Sequence, residues 1–318
     1  MHRVPSFVLQ AAAVISLALA ASSCLAQPGQ GQPRARQAQA RPQPPADVEV
    51  VPNVTYLTVD GRALRMNIAR PKTPPDEPMP VVVFIHGGAW RAGDADPSRN
   101  YPLAQRGYFT ASIEYRLSQE ALFPAQIHDC KAAIRWIRKY AKELNIDPDR
   151  IGVWGSSAGG HLVALLGTSI GVQALEGPGN AGYSSAVQCV VDMFGPSDLP
   201  AMVGKPSNID RTRPDCPEAQ LIGGLISDNL DKAKAASPVT YVDGNEPPFL
   251  ILHGTEDPTV PFNQSEILDE ALRKVGADVT FVPVKGAGHG FFGPTIEPGA
   301  AEIDKMIAEF FDRHLSGR

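Results

Sequence analysis

The residues with the clearest chemical potential are a serine and its glycine neighbours. Ser157 is the centre of residues 155–159, which read GSSAG and match the pattern G-x-S-x-G. A short, mostly apolar run at 150–154 precedes this motif, and residues 160–166 (GHLVALL) follow it as a predicted helix. A serine hydroxyl is a weak nucleophile, so the chain must present it tightly and supply a base. The order strand, glycine-flanked serine, helix therefore predicts a nucleophile elbow at Ser157, not a chance match in a glycine-serine loop.

The partners that such a serine needs follow later in the chain. Asp257 comes just after a predicted strand at 248–252, where open α/β sheets place their ligand-facing groups. His289 lies on a glycine-rich loop after another predicted strand at 279–284. In a triad, the histidine takes the serine proton and the carboxylate orients the imidazole. We therefore predict a Ser157–His289–Asp257 triad, with Glu256 as the alternative acid.

The remaining histidines have less specific settings. His253 ends a strand beside a glycine turn, which favours a structural imidazole, and His161 on the helix after the serine is interpreted as a packing or hydrogen-bonding residue. His128 and His314 fall in helical stretches among charged neighbours and are interpreted as solvated or capping residues. No cluster of histidine, cysteine and carboxylate has the spacing of metal ligands, so the sequence predicts neither a metal nor a cofactor.

A second glycine motif supplies candidate backbone donors. A strongly apolar strand at 80–85 ends in residues 86–90, which read HGGAW. The N–H groups of Gly87 and Gly88 can point inward without a Cβ in the way. Together with the N–H of Ala158, they form a candidate oxyanion hole for the tetrahedral intermediate of acyl transfer. The alternative is a simple glycine-glycine turn after a strand.

Taken together, these motifs resemble the α/β-hydrolase superfamily. Within it they are closest to the hormone-sensitive-lipase-like carboxylesterases and the bacterial feruloyl and acetyl-xylan esterases. The resemblance extends over residues 54–315 and includes further motifs: EYRL at 114–117, FPA at 123–125, AAIRW at 132–136, GPSD at 195–198 and HGTEDP at 253–258. It implies a serine ester hydrolase that forms an acyl-enzyme on Ser157. One departure is Ala89, where the lipase-like group usually has glycine, and it favours the xylan-esterase branch. Asp198 recurs near the site in the family, but its setting favours a turn and helix cap.

The resemblance also implies a substrate class. It points to short acyl esters or to acetyl and feruloyl esters of polysaccharides, with no cofactor. Candidate substrate-binding residues are Trp90 and Phe291, and Phe123, Phe194 and Phe292 are further aromatic candidates; each is equally compatible with the core. Two other functions stay open. One is a prolyl-oligopeptidase-like serine peptidase, and the other is a non-catalytic binding module on the same fold, although no triad residue is missing.

The surrounding sequence predicts an α/β fold with a mostly parallel central sheet and helices on both faces. Predicted strands are a hairpin at 54–59 and 63–68, then 81–85, 109–114, 151–154, 187–193, 249–252 and 279–284; predicted helices are 125–144, 158–167, 264–275 and 300–314. Residues 199–241 interrupt this alternation with loops and short helices. We interpret them as a small cap insertion over the site, and the alternative is a surface insertion with no substrate contact.

The N-terminal region has the composition of an export signal and a linker. Residues 1–3 (MHR) are a basic start, 7–21 are almost wholly apolar, and small residues follow. The apolar stretch is shorter than a membrane span needs, which favours a secretory signal peptide at 1–26. Lipid anchoring at Cys24 is the weaker alternative. Residues 27–52 are rich in Gln, Pro, Ala and Arg and predict a disordered linker, which leaves 53–318 as the catalytic domain and the protein secreted or periplasmic.

Charge and cysteine content narrow the remaining possibilities. The 318-residue chain has a net charge of -5 without long runs of one sign, which argues against nucleic-acid binding. The apolar settings of Cys130 and Cys189 predict buried thiols, whereas Cys216 lies in a polar loop. Export permits one disulfide among the three, but the sequence does not choose the pair. It sets no expectation for the oligomeric state.

Overall fold

A single eight-stranded sheet organises the part of the chain that the structure, a computed structural model, describes, which is residues 41–315. The signal peptide predicted at 1–26 lies outside these residues. The strands stand in the order β1-β2-β4-β3-β5-β6-β7-β8 and have the bounds β1 Val48–Val59, β2 Arg62–Pro71, β3 Met79–Ile85, β4 Phe109–Ile113, β5 Ile146–Ser156, β6 Cys189–Met193, β7 Phe249–Gly254 and β8 Val279–Val284. β1 and β2 pair antiparallel, β2 pairs antiparallel with β4, and all further pairings are parallel. The predicted mostly parallel sheet is confirmed.

Helices cover both faces of the sheet, as predicted. They are α1 Tyr101–Gln105, α2 Ala125–Lys139, α3 Ala141–Leu144, α4 Ala158–Thr168, α5 Gln173–Glu176, α6 Pro217–Ile222, α7 Leu230–Ala235, α8 Asn263–Lys274 and α9 Ala300–Leu315. One core contains side chains of α2, α4 and α8, and the opposite core contains side chains of α9. In β3, Val81 and Val83 join the first core whereas Val82 and Phe84 join the second. Successive side chains of a strand point to opposite faces, which is why this strand is apolar throughout.

The first hairpin corrects the predicted domain boundary. β1 begins at Val48, inside the segment assigned to the linker, and Val48 pairs with Pro71 of β2. The register shifts between Val51 and Val54, where Asn53 has a φ of 59°. Pro52 and this β-bulge break the alternation of apolar and polar residues that indicates a strand. The sequence pattern therefore predicted a strand start at residue 54, after the bulge.

A second difference lies in the predicted helix at 125–144. The structure ends α2 at Lys139 and begins α3 at Ala141, with Tyr140 between them at φ -102° and ψ 21°. Asn145 then adopts a left-handed conformation with φ 53°. The apolar spacing continues through this junction, and so the sequence pattern alone does not show the break.

The insertion between β6 and β7 consists of short helices and 3₁₀ turns, as the sequence predicts for residues 199–241. It reaches the loop that carries Asp257: the Asn208 N–H donates to the Pro258 carbonyl at 2.6 Å, and the Ser207 hydroxyl donates to the Thr259 carbonyl at 2.9 Å. Arg211 donates from Nη2 to the same Thr259 carbonyl at 2.9 Å. This insertion therefore packs against a functional loop.

The cysteines of the described residues are all buried and unpaired. Cys130 and Cys189 lie in the core as predicted, and Cys216 caps α6, where its sulfur accepts a hydrogen bond from the Ala219 N–H. Cys24 lies outside the described residues. No helix between residues 41 and 315 combines the length and apolar character needed to cross a bilayer.

Candidate active site

The turn after β5 holds Ser157 in an unusual backbone conformation. Ser157 has φ 56° and ψ -121°, and its N–H donates to the Met193 carbonyl at 2.9 Å. A positive φ is unfavourable for a residue with a Cβ and persists only where the surroundings enforce it. Those surroundings are tight: a Cβ added to Gly155 would lie 2.4 Å from the Gly159 carbonyl oxygen, and one added to Gly159 would lie 2.0 Å from the Ile85 oxygen. The glycines on both sides thus permit the close contact between strand and helix that lifts Ser157 out of the sheet edge.

Asp257 and His289 meet at the same edge of the sheet. Asp257 follows β7 and His289 follows β8, and the His289 Nδ1 lies 2.7 Å from the Asp257 Oδ2. The Asp257 side chain is fully buried, whereas that of His289 is 26% exposed. Because an ionised carboxylate only accepts hydrogen bonds, Nδ1 carries the proton and Nε2 is left as a free base. This is the tautomer that a general base toward a serine requires.

Several donors converge on the Asp257 carboxylate. Its Oδ1 accepts the backbone N–H groups of Thr259 at 2.7 Å and Val260 at 3.0 Å, and its Oδ2 lies 3.3 Å from the His253 Nε2. Burial alone would raise the pKa of Asp257, but the hydrogen bonds from His253 and His289 outweigh it and hold the pKa well below its usual range. Asp257 is therefore an anion across the physiological pH range.

Phe194 lies next to the residue that binds the Ser157 backbone, and it contacts the imidazole of the Asp257–His289 pair. It directly follows β6, whose last residue, Met193, accepts the Ser157 N–H. Its ring lies edge-on to the His289 imidazole, with centroids 4.7 Å apart. Within the described residues the Ser157 hydroxyl forms no hydrogen bond. The hydrogen bond between Asp257 and His289 is therefore formed, whereas none joins Ser157 to His289. Catalytic hydrogen bonds are often long in proteins without substrate and tighten when it binds.

Backbone donors lie beside the serine. A Cβ added to Gly87 would lie 3.3 Å from the Ser157 Cβ, which places this glycine against the nucleophile. Gly88 has a φ of 103°, and a Cβ there would meet the Ala92 carbonyl oxygen at 2.1 Å. In the described part of the chain, the N–H groups of Gly87 and Gly88 donate no hydrogen bond. The Ala158 N–H is in the first turn of α4, where no partner exists within the helix. These three donors are thus free to stabilise an oxyanion.

Two other acidic residues have settings that separate them from Asp257. Glu256 is exposed, and no ion pair or side-chain hydrogen bond joins it to the other described residues. Asp198 accepts the Ala201 N–H at 3.2 Å, which agrees with the interpretation as a turn and helix cap. Among these carboxylates, Asp257 is the one in contact with an imidazole.

The aromatic candidates divide into buried and exposed residues. The structure corrects the assignment of Trp90 to substrate binding: its side chain is 2% exposed and belongs to the core, where its indole packs on His161. Phe291 is half-buried, and its ring packs edge-on against Phe194 with centroids 5.0 Å apart. Phe292 is 78% exposed on the loop that carries His289. An aromatic residue beside a glycine motif gives the same sequence pattern whether it lines a pocket or lies in the core. The sequence therefore could not distinguish a substrate-binding aromatic from a core aromatic.

His161 packs and forms hydrogen bonds as interpreted from the sequence, whereas the contact of His253 with Asp257 was not predicted. His253 touches the Asp257 carboxylate while accepting from the Ser265 hydroxyl at Nδ1, 2.7 Å away. The spacing of four residues between His253 and Asp257 was the available signal. His161 is fully buried and accepts from the Trp90 indole at 3.2 Å. His128 lies 3.0 Å from the Ala174 carbonyl, and His314 packs on the Phe310 ring.

A buried carboxyl lies beneath the nucleophile turn. Asp192 of β6 is completely buried, and its Oδ1 accepts the Gly195 N–H at 2.9 Å. Its Oδ2 has no hydrogen-bond partner among residues 41–315. Burial raises the pKa of Asp192 to about 7 because water is not available to solvate the anion. Asp257 is stabilised by four hydrogen-bond donors, whereas the described residues provide Asp192 with the Gly195 N–H alone.

Comparison with known proteins agrees with this arrangement. The model of the BD-FAE family matches residues 66–272. Esterase LipQ of Mycobacterium tuberculosis is 36% identical over 245 residues, which are 76% of this chain and 56% of that protein. A truncated carbohydrate esterase from gut microbiota superimposes with a TM-score of 0.74 at 35% identity, covering 86% of this chain and 99% of its own. Thermogutta terrifontis esterase 2 phosphorylated by paraoxon gives 0.67 at 29% identity, covering 90% and 100%.

The share of the matched protein that this chain covers differs between the curated relatives and the solved structures. This chain spans a little over half the length of the curated relatives it matches, LipQ and the related esterase LipC. It covers almost all of the solved esterases. Because those structures are esterases of the same architecture, the α/β-hydrolase fold expected from the motifs is confirmed.

Proposed function

The chain belongs to the BD-FAE family of α/β-hydrolases, and we propose on that basis that it is a serine carboxylesterase. The observations that carry the proposal are the Asp257–His289 hydrogen bond and the strained turn of Ser157, which are connected through Met193 and Phe194. The named relatives and solved neighbours are esterases, and one of them is phosphorylated by paraoxon, a reagent for nucleophilic hydroxyls. A nucleophile, a base, an orienting acid and backbone donors in one place are the parts that ester hydrolysis needs.

The first half of the proposed reaction forms an acyl-enzyme. The Ser157 Oγ attacks the ester carbonyl carbon while its proton passes to His289 Nε2. The Asp257 carboxylate stabilises the imidazolium that forms. The N–H groups of Gly87, Gly88 and Ala158 donate to the oxyanion of the tetrahedral intermediate. When the intermediate collapses, the bond to the alcohol oxygen breaks and the alcohol leaves with the proton from His289.

The second half releases the acid. Water loses a proton to His289 and attacks the acyl carbonyl, and the same backbone donors hold the second oxyanion. Collapse breaks the bond to Ser157 and returns the proton to its oxygen. Each proton that His289 accepts is handed on within the same half-reaction, so the enzyme ends in its starting state.

We propose esters of carbohydrates as the substrate class, with short acetyl or larger feruloyl groups. A carbohydrate esterase is among the solved proteins of the same architecture. Phe292, exposed three residues after His289, offers a flat apolar surface of the kind that can pack against a sugar ring of the alcohol group. Acetate release from acetylated xylan, compared with hydrolysis of feruloyl and p-nitrophenyl esters and of a prolyl peptide, tests this class. Preference for the small p-nitrophenyl esters alone, or cleavage of the peptide, would contradict it.

Export forms a further part of the proposal. The basic start, the apolar stretch at 7–21 and the small residues up to Ala26 have the order of a secretory signal. We expect the mature protein in the periplasm or medium, with its N-terminus at Gln27. Cell fractionation and N-terminal sequencing test this, and an N-terminus at Cys24 in the membrane fraction would indicate lipid anchoring instead.

The central experiment replaces the nucleophile. We expect Ser157→Ala to abolish turnover of p-nitrophenyl acetate and labelling by a fluorophosphonate probe while the protein stays folded. Ser156→Ala is the matched control, because the neighbouring hydroxyl is one residue too early for the motif, and it should keep most of the activity. Unchanged turnover in the folded Ser157→Ala variant would defeat the proposal.

A further inference from the structure

The loop that supplies two of the oxyanion donors has a backbone that needs external support. Gly88, Ala89 and Trp90 have φ values of 103°, 55° and 56°, so three successive residues lie on the left-handed side of φ. For a residue with a Cβ this conformation costs roughly 1–2 kcal/mol. Since two of the three are not glycine, contacts made by the loop must hold it.

A side-chain contact between this loop and the nucleophile helix is made by Trp90. Its indole Nε1 lies 3.2 Å from the His161 Nδ1, and the two rings meet edge-on at 5.1 Å between centroids. Both side chains are almost completely removed from water. The Trp90 carbonyl accepts two further hydrogen bonds, from the Ser118 N–H at 2.8 Å and from the Ser118 hydroxyl at 3.3 Å.

The protonation state of His161 follows from its two partners. An indole N–H can only donate, so Nδ1 must carry a lone pair. Nε2 lies 2.6 Å from the Ala236 carbonyl, which can only accept, so Nε2 carries the proton. The neutral imidazole with its proton on Nε2 therefore satisfies both contacts. Burial favours this neutral form and lowers the pKa of His161 to about 4.

The position of His161 on α4 gives this contact a consequence for the site. Its own N–H donates to the Ser157 carbonyl at 3.0 Å, in the first turn of the helix that also contains Ala158. The side chain thus ties the donors of Gly87 and Gly88 to the part of the helix that presents Ser157 and the Ala158 N–H. Oxyanion stabilisation depends on donors fixed at the right distance before the charge develops.

We propose that His161 is a positioning residue that holds the oxyanion loop in register with the nucleophile helix through the Trp90 indole. This rests on the proposed esterase function and deepens it. A purely structural His161 would affect stability but leave the turnover of the folded enzyme unchanged. A positioning His161 lowers kcat, because misplaced donors weaken transition-state stabilisation, while KM for a small ester changes little.

The test uses both partners of the hydrogen bond. Trp90→Phe keeps an aromatic ring but removes the indole donor, and His161→Leu removes the acceptor. Full loss of one oxyanion donor typically costs about 10²–10³-fold in kcat, so a loosened loop is expected to cost roughly 10–100-fold. The double variant should lose no more than the worse single variant, because both changes break the same contact. His161→Gln, whose amide can accept from Trp90 and donate to Ala236, should recover part of the loss.

A matched control lies in the same segment. The Tyr241 hydroxyl donates to the Ala235 carbonyl at 2.6 Å, next to the acceptor of His161, and among the described residues no hydrogen bond joins it to the loop. Tyr241→Phe should therefore keep kcat close to wild type. The inference is overturned if folded Trp90→Phe retains wild-type kcat, or if the two substitutions lower kcat independently. Ser157→Ala is measured in the same assay. If it is inactive, the proposed esterase function holds even where the Trp90 and His161 variants overturn the inference.

Discussion

The nucleophile half and the acid half of this site are held in place by different forces. In the nucleophile half, residues 85–90 and 155–161, backbone meets backbone through glycines, and several residues have a positive φ. In the acid half, residues 253–260 and 285–291, a buried carboxylate gathers two imidazoles and two backbone N–H groups. The first depends on shape and the second on charge.

Because the two halves are stabilised differently, we expect them to tolerate different substitutions. A packed backbone cannot accept even one added methyl group without moving the chain. When a hydrogen-bonded carboxylate is replaced by an amide, as in an Asp→Asn substitution, the charge is lost but the shape of the side chain is kept. We therefore expect atoms added at the packed glycines of the nucleophile half to damage the fold, and isosteric substitutions in the acid half to damage the chemistry while most of the fold remains.

The largest effect is expected from Gly159→Ala. The new Cβ would lie 2.0 Å from the Ile85 carbonyl oxygen and 2.8 Å from the His86 oxygen, and both are backbone atoms that cannot rotate away. We expect roughly 3 kcal/mol or more of destabilisation, or no soluble protein, since overpacking against backbone cannot be relieved by a rotamer change. Thermal unfolding and soluble yield measure this effect.

Gly299→Ala is the matched control for that experiment. A Cβ at Gly299 would meet nothing within 4 Å, and its φ is not positive. We expect its stability and activity to stay near wild type. If both glycine variants unfolded at the same temperature, the tight contact at Gly159 would not be what holds the turn.

Asp257→Asn should give a large loss of activity with a smaller loss of stability. The amide nitrogen would face donors from His253 and His289, so His289 is expected to turn to the tautomer that cannot accept the serine proton. The equivalent change in a serine protease triad lowers kcat by about 10⁴, and a similar loss is expected here. Stability should fall by only about 1–3 kcal/mol, the usual effect of losing a hydrogen-bonded buried group.

Two further measurements check this variant. Because the folded pKa of Asp257 is depressed, its contribution to stability is present above the unfolded pKa of about 4 and is lost as the pH falls below it. The Asn variant should lack this acid-dependent loss. Glu256→Gln, which changes the exposed neighbouring carboxylate, should stay active; an inactive Glu256→Gln with an active Asp257→Asn would reverse the assignment of the acid.

The contrast between the halves also explains what the sequence could predict. Ser157, Asp257 and His289 could be proposed from the sequence because each comes after a predicted strand, and parallel strands end at one edge of a sheet. The core position of Trp90 and its contact with His161 were not predictable, because they depend on how a loop and a helix distant in the chain meet. The start of β1 was missed because Pro52 and the bulge at Asn53 break the alternation of a strand, and the helix break at Tyr140 was missed because the apolar spacing continues through it.

The smallest predicted effect tests whether charge plays any part in the nucleophile half. Asp192 is fully buried under the turn, where its Oδ1 would lie 2.4 Å from a Cβ added to Gly160. Its folded pKa is about 7, well above the unfolded value of about 4. The folded protein thus holds a proton that the unfolded chain releases, and stability falls as the pH rises through this window.

Between pH 6 and pH 8 this group should lower the free energy of unfolding by about 1 kcal/mol, because one unit of pKa difference corresponds to about 1.4 kcal/mol. Asp192→Asn cannot release the proton, so that part of the slope should vanish when urea unfolding is compared at the two pH values. Asp243→Asn, at an exposed position, should keep the wild-type slope. Equal slopes in wild type and Asp192→Asn would mean that the carboxyl does not titrate in this range, and the nucleophile half would then depend on shape alone.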